Sequence, residues 1–151
     1  MSATVLTGPV EFVPAKDSTT RSTTALASVG SRAYAENGEF VYVGAGGAIT
    51  TSGDPVSASG ALSAVLRGDL DVGAFLGCAE APFASGEYGY IRVKGPASMV
   101  VESGAVAGDS LQLSGTVGKL KKTTASGDQV AIALAASDNA STAAIAVYIG
   151  K

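Results

Sequence analysis

Hydrophobic and polar positions alternate most faithfully between Ser85 and Gly104. Tyr88, Tyr90, Arg92 and Lys94 fall on one side, with Gly89, Ile91 and Val93 on the other. Successive side chains of a strand point to opposite faces, so the pattern predicts a strand with one polar and one apolar face. Gly95-Pro96 interrupts it. Proline fixes φ and has no N–H to donate, and glycine takes conformations that turns require. The expected result is a corner, then a second strand over Met99-Val100-Val101, the two forming a hairpin.

Similar runs flank this centre. Asn37-Gly38 signals a turn before Glu39–Val43, and the glycine cluster Gly44–Gly47 leads into Ala48-Ile49-Thr50. Val72–Ala79 is a further strand. Leu111 and Leu113 alternate with polar residues, and Val117–Lys121 follows a Gly-Thr turn. Val130, Ile132 and Leu134 alternate with alanines, as do Ile145, Val147 and Ile149. Those last two runs are apolar on both faces, so both are expected to be central and buried. Helical spacing is weak, at Leu26, Val29 and Ala33 and again at Leu62, Val65 and Leu66. Ser52-Gly53-Asp54, Ser85-Gly86-Glu87, Ala107-Gly108-Asp109 and Ser126-Gly127-Asp128 repeat one form, small-Gly-acid. Glycine supplies the turn, and the acid's oxygen caps nearby amides, so these read as strand-entry turns. About eight to nine short strands indicate an all-β fold, a compact β-barrel or sandwich whose closure removes exposed edges.

Residues 1–24 read differently, as an extended N-terminal arm, leaving 25–151 as a single β-barrel or sandwich domain. Pro9 and Pro14 bracket Val10-Glu11-Phe12-Val13, and Asp17–Thr24 is nearly all Ser, Thr and charge. Proline confines such residues to edge-strand or polyproline geometry. Extended, 24 residues reach roughly 80 Å, whereas a compact domain of the remainder has a radius of gyration of about 14 Å. Val5, Leu6, Val10, Phe12 and Val13 are too apolar for an idle tail. They are the candidate partner-binding residues, by strand addition or draping, against the plainer reading of a tail folded over its own domain.

Composition narrows the chemistry. At 151 residues the chain suits one domain. Charged residues are 15%, against about 25% in ordinary domains, so much of the surface is Ser, Thr, Ala and Gly. Such a surface is natural for a subunit covered by neighbours. The net charge of −3 and a pI of about 4.8 do not favour nucleic acid. Histidine is absent, which removes the commonest general base and metal ligand. The single Cys78 makes neither an internal disulfide nor a thiolate metal site, and reads as a small core residue. Gly44–Gly47 lacks the Lys-Ser/Thr of a phosphate loop, and the acids of the repeated turns are too scattered for a calcium loop. Arg67-Gly68-Asp69 has the letters of an adhesive tripeptide, but a polar turn is the simpler reading. Lys119, Lys121 and Lys122 suit a solvated edge strand as well as an acidic partner. A Lys94–Ser98 dyad lacks anything to desolvate its lysine. The expectation is no enzyme, no cofactor, no metal and no membrane segment, in a chain made in the cytosol that stays soluble or travels as part of something larger.

The order of motifs carries a likeness. Gly53-Asp54-Pro55-Val56 is followed by Val72–Ala79, then Gly86-Glu87-Tyr88-Gly89-Tyr90-Ile91-Arg92-Val93-Lys94-Gly95-Pro96, then Ala107–Leu111, Val130–Leu134 and Val147-Tyr148-Ile149. From Gly53 to Lys151 the chain resembles the small capsid decoration, or cement, proteins of tailed bacteriophages. That resemblance implies a β-rich subunit, commonly a homotrimer, bound to the outer surface of the virion head and clamping the major capsid protein. It also implies an N-terminal arm lying on the lattice, and neither catalytic residues nor a cofactor. A host- or glycan-binding module on a virion or fibre is the alternative.

Overall fold

The computed structural model describes residues 18–124, 129–137 and 144–150. Ten strands lie among them: β1 Arg32–Ala35, β2 Gly38–Gly44, β3 Asp54–Ala58, β4 Leu66–Arg67, β5 Ala74–Ala79, β6 Tyr88–Val100, β7 Ser110–Leu113, β8 Leu120–Lys122, β9 Ala131–Ala133 and β10 Ala144–Ile149. The fold is all-β, an antiparallel sheet curled into a half-barrel. Its strands run β4-β3-β5-β6-β10-β9-β7-β8, with β2 also on β6 and β1 on β2. One short 3-10 turn, Leu62–Ala64, is what the helical spacing there produces. Ala33, which closes the other stretch of weak helical spacing, lies in β1.

Strand β6 corrects the expected central hairpin. Its 13 residues run through Gly95-Pro96 without reversing. The partner changes there: β2 pairs up to Lys94, and β10 begins at Gly95 opposite Ile149. Gly95 sits at φ +108°, a conformation that favours glycine, and a Cβ on it would overlap the Asn37 carbonyl. The Gly-Pro pair is therefore a kink that hands one long strand from the first half of the sheet to the second.

The small-Gly-acid turns are built alike. Gly53, Gly86 and Gly108 all have positive φ, at 94°, 87° and 94°. In each turn the acid's amide donates to the carbonyl three residues earlier. Its carboxylate accepts that residue's N–H in return: Thr51 to Asp54 at 3.0 Å, Ala84 to Glu87 at 2.7 Å, Val106 to Asp109 at 2.9 Å. The Val106 amide, with help from Lys122, holds the Asp109 carboxyl below the usual carboxylate range. The fourth turn, Ser126–Asp128, lies outside the described residues.

The core has two main compartments flanking the kink. One gathers Met99, Val101, Leu111, Leu120, Val147 and Ile149; the other Val41, Val43, Ile49, Val56, Phe83 and Ile91. A thinner layer of Ala33, Phe40, Tyr42 and Tyr90 covers the opposite face of β1 and β2. Cys78 packs in the first compartment at the β5–β6 junction, with its Sγ 3.8 Å from the Ser98 carbonyl. Burial pushes its thiol up to about 12, with Glu80 adding to the effect. The native protein is therefore expected to resist a thiol reagent at neutral pH and to react fully once unfolded in urea. Labelling of the folded protein at the rate of an exposed cysteine would contradict this placement.

The sheet's two ends meet through their turns. Gly118 N–H donates to the Gly68 carbonyl at 2.8 Å, and Leu70 N–H to that of Ser114 at 2.9 Å. The Arg67 guanidinium stands against Gly118 and binds the fully buried Asp54 at 2.6 and 3.3 Å. Both charged ends of the Arg-Gly-Asp tripeptide are thus engaged, since Asp69 is buried and accepts the Asp71 amide. The β8 edge is met by the Val101–Leu120 bridge and by Glu102 N–H donating to Leu120.

Residues 18–24, which composition assigns to the arm, are held on the sheet. Ser22 and Tyr88 exchange both backbone bonds. Ser18, buried, donates to Glu80 at 2.6 Å. Arg21 donates to the carbonyls of Ser18, Thr20, Ala81 and Pro82, and its guanidinium lies 3.7 Å above the Phe83 ring. Desolvation lowers Arg21 to about 10, with Glu87 and Glu80 opposing, and it stays a cation at neutral pH. Val5, Leu6, Val10, Phe12 and Val13 lie outside the described residues.

Candidate functional site

Strand β9 does not sit as its pattern suggests. Its alanines, Ala131 and Ala133, face the core, and its larger residues turn outward. The cause is register: Ala131 and Ala133 stand opposite Ile149 and Val147 of β10, and Ala131 also opposite Leu111 of β7. Those three large residues already fill that side of the close-packed interior, leaving room for little more than methyl groups. The alternation then places Ile132 and Leu134 on the outer face, where Leu134 is 52% exposed.

An apolar strip results. Tyr148, 43% exposed, pairs with Ile132 on one side and with Pro96 on the other. Leu134 N–H donates to the Ala146 carbonyl at 2.9 Å, adding the next rung. Beside the Gly95 kink the strip opens into a cleft of about 460 Å³, where Tyr34 from β1 joins Tyr148, Pro96 and Lys94. Its border is charged: Glu39 lies 3.7 Å from Arg32 and 3.9 Å from Lys94. An apolar centre with an ionic, solvated border is the anatomy of a protein-binding patch.

A second concavity, of about 300 Å³, lies where residues 20–27 cross the sheet. Tyr42, Tyr88 and Tyr90 line it together. Tyr42 and Tyr88 rings are parallel at 6.4 Å, and Tyr90 meets Tyr42 edge-on at 5.0 Å. Leu26, 73% exposed, stands beside them, and its N–H donates to the Tyr42 hydroxyl at 3.0 Å.

Catalytic geometry is not assembled from the residues the sequence offers for it. Lys94 and Ser98 share a face of one continuous strand and stand about 13 Å apart at 3.3 Å per residue. Lys94 is occupied with Glu39. Among the described residues no group of three His, Cys, Asp or Glu side chains is arranged to hold a metal ion. Lys122 of the basic cluster pairs with Asp109 at 3.2 Å.

No family model and no curated protein matches this chain. The likeness to decoration proteins therefore stands on the motif order between Gly53 and Lys151, and any function has to be argued from the surfaces themselves. Neither surface was named from sequence. A signal for the strip existed: β9 and β10 are apolar on both faces, and only one face of a curled sheet reaches its core. The tyrosine cleft had none, because its rings come from β2 and β6 and meet only through the pairing of Tyr42 with Tyr90.

Proposed function

We propose that the chain is a capsid decoration protein of a tailed bacteriophage, binding the outer surface of the head as a homotrimer and holding neighbouring major capsid subunits together. The observation that carries this reading is the apolar strip of exposed Pro96, Tyr148 and Leu134 around half-buried Ile132, on a chain with few charges. A surface of this kind is covered in use, and a head lattice offers a large, repeated cover. The motif order supports the same reading, as does an apolar stretch, Val5 to Val13, preceding a domain whose described residues are strands and turns. Three copies in one trimer raise the local concentration of each contact, so individually weak patches hold tightly.

The test is binding to expanded heads assembled without this subunit. Leu134→Lys together with Tyr148→Lys places two charges on the strip and leaves the core untouched. The expected result is at least a tenfold weaker affinity with an unchanged unfolding midpoint. Wild-type affinity in that variant would remove the strip from the interface.

The tyrosine cleft favours a second reading, a glycan-binding module. Sugar rings stack on tyrosine faces; Tyr42 and Tyr90 are buried here, half-buried Tyr88 offers such a face, and about 300 Å³ holds one ring. A glycan array decides it. A specific signal abolished by Tyr88→Ala would support this reading over decoration.

A further inference from the structure

Two phenols stand over the cleft at the Gly95 kink, Tyr34 57% and Tyr148 43% exposed. Among the described residues neither hydroxyl has a hydrogen-bond partner, so each ring offers an apolar face and a donor together. Register puts both on one face. Tyr34 stands opposite Glu39 and Glu39 opposite Lys94, while Tyr148 stands opposite Pro96. Strands β2 and β10 follow one another along the same side of β6, because β5 takes the other side. One strand spacing and two residues of rise therefore separate Tyr34 from Tyr148, about 8 Å. The β6 floor between them is closed to strand addition, since β2 pairs up to Lys94 and β10 pairs from Gly95. The charges at the cleft cancel. Glu36, Glu39 and Lys94 line it, and Arg32 reaches Glu39 at 3.7 Å, so two carboxylates face two cations.

We propose that this cleft receives a proline-bearing segment of the head subunit in polyproline II form, whose carbonyls accept from the Tyr34 and Tyr148 hydroxyls. The source of the segment rests on the decoration reading; the chemistry of the cleft does not. Three observations select this occupant. A strand needs a free backbone edge, and the β6 floor has none. A polyproline II segment needs no edge: it has no internal hydrogen bonds, keeps its carbonyls outward, and docks on aromatic-lined grooves. Spacing agrees as well. Three residues of this helix make one turn and rise about 9 Å, so carbonyls one turn apart match the separation of the two tyrosines. The third is charge complementarity. A rim whose charges cancel suits a neutral segment, and exposed Pro96 gives the proline rings an apolar floor between the phenols.

The probe is an oligoproline peptide titrated into the full chain and followed by amide chemical shifts. Saturable shifts are expected at Tyr34, Lys94 and Tyr148, with β3 amides unmoved and no response to a Gly-Ser peptide of equal length. Tyr34→Phe with Tyr148→Phe leaves both rings in place and removes only the donors. That variant should bind the peptide about tenfold more weakly, the effect of two neutral hydrogen bonds near water. Unchanged affinity in it, or no shifts in the wild type, would overturn the proposal. A neutral hexose that moves the same amides where oligoproline does not would overturn it in favour of a sugar site. Excess peptide should also release the chain from expanded heads. Peptide binding without release would overturn the head subunit as the source. A chain that binds the peptide at these amides and never binds heads would instead sink the decoration reading and support the cleft's chemistry alone.

Discussion

Glu80→Leu is expected to destabilise the protein by about 3 kcal/mol, because it strands a buried cation. Arg92 is 4% exposed, and its guanidinium binds Glu80 at 2.7 Å, donates to the Asn37 carbonyl at 3.1 Å and lies 4.7 Å from the Phe40 ring. Without Glu80, the carbonyl and the ring cannot neutralise it. Ser18 also loses its acceptor, so residues 18–22 should loosen. Replacing both partners with apolar residues, Glu80→Leu with Arg92→Met, is expected to recover most of the loss, since no charge is then left in the interior. Urea unfolding midpoints measure Glu80→Leu, Arg92→Met and the double variant. A double variant as unstable as the sum of the single ones would show that packing, not charge, explains the loss.

Gly95→Ala is the second large effect. The residue combines φ +108° with a Cβ position that overlaps the Asn37 carbonyl and touches Gly38. Gly104 provides the control, at φ +97° with nothing within 4 Å of the added atom. Gly104→Ala should therefore show the dihedral cost alone, about 1–2 kcal/mol. Gly95→Ala should exceed it by at least about 1–2 kcal/mol, from the crowding between β6 and the β1–β2 turn. Equal losses would mean that the sheet relaxes at the kink and that the close approach is not required.

This kink marks where the sequence ceased to be legible. Gly-Pro at the end of an alternating run reads as a corner because both residues disfavour a continuing ladder. Nothing local says that β10 takes over pairing at the residue where β2 stops. Long-range pairing decided it, and a strand of 13 residues replaced a hairpin. The small-Gly-acid turns were legible because all of their determinants, a positive-φ glycine and a carboxylate three residues from the amide it caps, lie within four residues. The all-β class was legible for the same reason. Strand β9 misled because alternation gives two faces without labelling them: Val147, Ile149 and Leu111 claim the interior, and the alanines must fit opposite. The same partners put Ile132 and Leu134 outside, so the candidate surface followed from packing on the far side of the strand. Of the expected arm, Ser18–Thr24 is on the sheet, tied by a serine, an arginine and one bridge to Tyr88 that carry no sequence signature.

The most direct measurement is co-sedimentation of the purified full-length chain with expanded heads that lack decoration. Decoration predicts saturable pelleting, with a plateau at a fixed number of chains per head, and heads that then survive heating or osmotic shock better than bare ones. A chain that stays in the supernatant at every concentration, beside heads no more robust than before, would contradict it.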